Sequence, residues 1–78
     1  MNTRNQDLIY GAEYARQYPI MRDKWRGRTL AECFAAKVDI FDTLTLHNLE
    51  GAPAYVAKLY AELDAIRDYE LATKRAGK

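Results

Sequence analysis

The sequence predicts an all-α fold: a long antiparallel helical hairpin preceded by a shorter N-terminal helix, in a chain expected to be oligomeric. Three observations carry this. Apolar residues recur at helical spacings of three and four, with no sustained strand-like alternation. Two prolines, with Gly27 and Gly51, divide the chain into three helical segments. Roughly three residues join the second and third segments, a length that forces antiparallel neighbours.

The first helix is expected over residues 6–18. Thr3 with Gln6 fits a capping box, and Asn5 is a competing N-cap. Leu8, Gly11, Ala12 and Ala15 share one side, and Tyr10, Tyr14 and Tyr18 form an adjacent stripe. Pro19 disfavours helical geometry at Tyr18, so the helix should stop there. Residues 19–28 then read as a basic loop, tethered by Ile20, Met21 and Trp25 and turned at Gly27.

The second helix is expected over 29–49. Thr29 and Glu32 form a capping box, and Gly51 reads as the C-terminal glycine. Leu30, Phe34, Val38 and Phe41 make one apolar row, and Cys33, Ile40 and Leu44 a second beside it. The third helix is expected over 53–74, opened by Pro53, with Val56, Leu59, Leu63 and Ile66 as its seam. The whole of 1–78 is one helical domain.

Composition excludes several classes of protein. The 78 residues are 49% hydrophobic and 29% charged, an ordinary globular mix. One cysteine, Cys33, rules out an intrachain disulfide. One Cys and one His cannot fill a zinc site, and no motif implies a cofactor. No apolar run approaches the ~18–20 residues that span a bilayer, and the polar N-terminus lacks a signal-like apolar stretch. A lone thiol without such a stretch places the chain in the cytoplasm. No nucleophile–base signature or phosphate loop is present, so no enzyme is expected.

The net charge of +1 is unevenly spread. Residues 1–36 hold six Lys/Arg against four acids, and residues 37–72 hold three against seven. Asp39, Asp42, Glu62, Asp64, Asp68 and Glu70 read as a solvated acidic surface. The densest basic segment contains Arg22, Lys24, Trp25, Arg26 and Arg28. Lys37 and Arg67 sit inside apolar stripes, and folding the hairpin brings both toward its open end. There they would meet the basic loop and Tyr10 and Tyr14, as cations and rings suited to a nucleotide or phosphate. The competing reading pairs Lys37 and Arg67 with Glu70 and Glu62. The tight turn carries no cation, so sequence-specific DNA binding is not expected.

Two functions follow. The first is a non-enzymatic binding or inhibitor-type protein that docks on itself or on a host protein. It would use its helical faces and the Arg22–Arg28 loop, with Cys33, Ile40 and Leu44 at an oligomer interface. Alanine at Trp25 and Arg26 should then spare helicity and weaken binding. The second is sequestration of a small anionic ligand by the basic loop, Lys37, Arg67 and the tyrosines. A short helix before a long hairpin resembles the layout of small phage proteins that sequester cyclic nucleotides, which implies such a ligand. The size of the chain fits an accessory protein of phage or mobile-element type.

Overall fold

A computed structural model describes residues 3–49 and 51–76. It holds three helices and, among the described residues, no strand: α1 (Thr3–Trp25), α2 (Leu30–Leu46) and α3 (Pro53–Ala76). α1 begins at Thr3, earlier than the expected start at residue 6, so Asn5 lies within the helix and is not its cap, and α3 runs to Ala76, past the expected end at residue 74.

The first correction concerns α1. It runs through Pro19 to Trp25, so most of the expected basic loop is helix. Pro19 has no N–H for the Ala15 carbonyl, and an interior proline costs ~3 kcal/mol. Both Ala15 and Pro19 are exposed, so water can reach that carbonyl. Continuing the helix carries Met21 and Trp25 into the buried stripe begun by Gln17. Burying two side chains of this size returns about 3–6 kcal/mol, enough to outweigh the proline.

The true turn is short. Arg26 N–H donates to the Asp23 carbonyl at 3.3 Å, and Arg28 N–H to the Trp25 carbonyl at 3.2 Å. Gly27 takes φ +81°, a left-handed conformation that side chains resist. The next helix then starts on the expected box. Glu32 N–H donates to Thr29 Oγ1 at 3.1 Å, and Thr29 N–H donates to Glu32 Oε1 at 2.9 Å. The Thr29 amide is the main reason the Glu32 carboxyl titrates below its ordinary range.

The end of α2 departs from expectation. The helix stops at Leu46 and His47 caps it in an extended conformation, its N–H on the Thr43 carbonyl at 3.2 Å. Gly51 does not adopt the left-handed φ of a glycine cap. Instead the chain turns early, and Leu49 folds back onto the core. Pro53 opens α3 as expected, and Lys74 and Arg75 lie in its last turn, favourable for the helix dipole.

In the packing, α3 is central. Both other helices pack on it, α1 far more extensively than α2, while α1 and α2 touch only slightly. One side of α3 supplies Leu59, Leu63 and Ile66, which join Trp25, Cys33 and Ile40 in the core. Another side presents Ala57, Ala61 and Ala65, all fully buried at four-residue spacing. Those alanines share their side with Asp64 and Asp68, the residues that bind α1, and their small size lets α1 approach closely.

The molecule is elongated, 50 × 24 × 16 Å, with a radius of gyration of 13.8 Å. A compact chain of this length would have about 11.5 Å. Its accessible surface is 5537 Å². A compact protein of this mass would show about 4,900 Å².

Candidate functional site

The expected site residues fall in separate places. Tyr10, Tyr14 and Tyr18 line the α1 flank, their rings stacked at 6.1 and 6.0 Å. They step along α3 in register. The Tyr10 ring meets Tyr60 at 6.3 Å, Tyr14 Oη donates to Asp64 and Tyr18 Oη to Asp68. Burial, together with the Asp64 carboxylate, pushes the Tyr14 phenol up, and burial raises Tyr10 as well. Arg22 donates to Tyr18 Oη at 3.1 Å and stands 4.0 Å from Asp68. Tyr14, Tyr18, Asp64, Arg67 and Asp68 surround an open groove of about 270 Å³.

Trp25 builds a different place. Its Nε1 donates to Glu62 Oε2 at 2.9 Å, and Lys24 Nζ reaches the same oxygen at 2.8 Å. Lys24 and Arg28 lie against the Trp25 ring, 5.6 and 5.7 Å from its centre. With Ala36, Asp39 and Ile40 these groups line a second groove of about 340 Å³. Tyr69 Oη donates to the Arg28 carbonyl at 2.9 Å and ties this turn to α3.

Lys37 belongs to neither groove. It pairs with Glu70 at 2.7 Å, and the two side chains are only 25% and 12% exposed. Arg67 stands 4.0 Å from Asp64, Arg26 3.1 Å from Asp23 and Arg28 3.7 Å from Glu32. The expected convergence of Lys37, Arg67, Lys24, Arg26 and Arg28 with the tyrosines and Trp25 is therefore not assembled. Each of those cations already faces a carboxylate of its own chain, which offsets its pull on an anion.

Two further corrections concern what is buried. Cys33 and Ile40 are interior, and Leu44 packs against the same core, so this row serves the chain itself and not a subunit interface. Burial holds the Cys33 thiol above its ordinary pKa, which keeps it protonated and weakly nucleophilic. Trp25 is likewise a core residue. Alanine there would cost ~3–5 kcal/mol, so it cannot test binding separately from folding.

Of the six acids expected on a solvated surface, Asp39, Asp42 and Asp68 are exposed, but Glu62, Asp64 and Glu70 are half-buried. Glu62, Asp64, Asp68 and Glu70 accept bonds from other helices. A signal for part of this was present: Asp64 and Asp68 repeat at the same four-residue interval as Tyr14 and Tyr18. Asp42 makes no ion pair among the described residues.

The row left open is the other one on α2. Phe34 is 64% exposed and Phe41 52%, with Leu30 and Val38 beside them. This makes a continuous apolar strip along one helix, whereas single exposed apolar residues need no explanation. Among the described residues no group of His, Cys, Asp or Glu could hold a metal ion. No described helix is long and apolar enough to cross a membrane. Comparison of the chain with protein-family models, curated proteins and solved structures found no match.

Proposed function

We propose that this chain is a small, non-enzymatic interaction protein that docks on a protein partner through the open row of α2. The segment Arg22–Arg28 forms the charged rim at one end of that row. In this reading α2 and α3 make an antiparallel hairpin. The pairing of Lys37, early in α2, with Glu70, late in α3, supports it, as does the bond from Tyr69 to Arg28. The observation that carries the function is the exposure of Leu30, Phe34, Val38 and Phe41 on a helix whose adjacent row is already buried. Such a strip suits helix-on-helix or helix-in-groove recognition, and a partner whose groove it fills would be blocked from other ligands. That is an inhibitor-type role, and the reduced, buried Cys33 is in keeping with a cytoplasmic setting.

Sequestration of a nucleotide has less support, because the cations and rings it needs are divided among three places and already paired. The phage-like layout thus lends its ligand no binding site here.

The test uses Phe34→Ser with Phe41→Ser, both on exposed positions. Circular dichroism should show unchanged helicity. Tagged wild-type protein isolated from its source cells should retain a partner that the double variant loses. Equal retention by both proteins would sink the proposal.

A further inference from the structure

The α2 row has a shape and charge pattern that suit one particular occupant. We infer that it is covered by a second copy of this chain, with the two α2 helices antiparallel about a two-fold axis near residue 36. This inference rests on the reading of the α2 row as a docking face.

The row is its own complement. Leu30, Phe34, Val38 and Phe41 are spread about residue 36. Antiparallel pairing therefore sets Phe34 against the partner's Val38 and Leu30 against the partner's Phe41. A two-fold interface requires this kind of self-complementarity, with each contact made twice.

Area agrees with this occupant. The surface of 5537 Å² exceeds that of a compact monomer by roughly 650 Å². One partner in a standard protein interface contributes about 800 Å². The elongated shape leaves about one interface's worth of surface uncovered.

Charge selects the direction. Arg28 lies just before α2, and its ion-pair partner among the described residues is Glu32 at 3.7 Å, both half exposed. Asp42, past the other end of the row, has no ion pair among the described residues. Antiparallel pairing brings the Arg28 end of each α2 to the level of the partner's Asp42, twice over. Parallel pairing would set arginine on arginine and aspartate on aspartate, which is repulsive. Near the axis Lys37 is already neutralised by Glu70, and both are mostly buried within the chain. The centre of the interface thus carries no uncompensated charge.

Light scattering coupled to size exclusion, over a range of protein concentrations, tests the inference. The wild-type chain should approach twice 9.0 kDa at high concentration. Phe34→Arg with Phe41→Arg should return it to the monomer mass with helicity intact. Arg28→Glu alone and Asp42→Arg alone should each weaken the dimer several-fold, and the two together should restore it. A wild-type chain that stays monomeric throughout would overturn the inference, as would a dimer indifferent to the arginine substitutions at Phe34 and Phe41. Failure of the double charge swap to restore pairing would overturn the antiparallel arrangement. A monomer that still loses a different partner on Phe34→Ser with Phe41→Ser would overturn self-pairing alone and leave the docking function standing. A dimer that holds no other protein would uphold self-pairing and confine the docking face to it.

Discussion

Lys37 and Glu70 lie on different helices, mostly buried, with 2.7 Å between their charged groups. Removing one partner would leave the other charge half-desolvated, whereas replacing both with apolar groups of similar size would not. We therefore expect Lys37→Met and Glu70→Met to destabilise singly, and the double variant to recover at least half of the summed loss. Urea unfolding of the four proteins would measure a coupling of about 1 kcal/mol, and strict additivity would show the pair to be inert. At this scale the sequence was legible where the interaction is local. The Thr29–Glu32 box spans three residues, so spacing alone revealed both of its bonds. The alternative that Lys37 is internally paired was also on view, but the bond from Trp25 to Glu62 was not. It depends on how far α1 extends, and the sequence suggested a shorter helix.

That length is the main lesson of the elements. A proline is a strong local stop signal, and by its position after Tyr18, Pro19 predicts the end of the helix. The helix continues because Gln17, Met21 and Trp25 form a stripe that α3 buries. If burial is what overrides the proline, Pro19→Ala should raise stability by about 1 kcal/mol or more, read as a higher urea midpoint. A lower midpoint would mean that the interruption at residue 19 is needed to bring Trp25 onto Glu62. The two rows of α2 make the same point. Their existence was evident from periodicity, but which row faces α3 was not. Periodicity describes one helix by itself, while burial depends on a neighbour, and the structure chose Cys33, Ile40 and Leu44.

At the scale of the molecule, the central position of α3 leaves a long, open arrangement with α1 and α2 on different sides of it. A closed three-helix bundle would cover the α2 row with α1. Here α1 is held along α3 by the alanine stripe and the tyrosine–aspartate pairs, so the row stays uncovered. If a second copy completes the burial, folding is linked to association and the melting temperature of the wild type rises with protein concentration. The variant with arginine at both Phe34 and Phe41 should melt at a temperature independent of concentration. A concentration-independent wild type would mean that the chain holds its open shape unaided.

The sequence by itself determined the helical class, the number of helices, the box that starts α2, the left-handed turn at Gly27 and the start of α3 at Pro53. These follow from backbone conformation and from hydrogen bonds within a few residues. Only the tertiary structure decided that α1 outruns its proline, that α3 is the shared partner, that the acids of α3 serve as acceptors for other helices and that Phe34 and Phe41 face solvent. Those outcomes compare one way of burying apolar surface with another across distant parts of the chain. Local spacing says which faces are apolar, but the free energy of burial depends on which of them can be covered together.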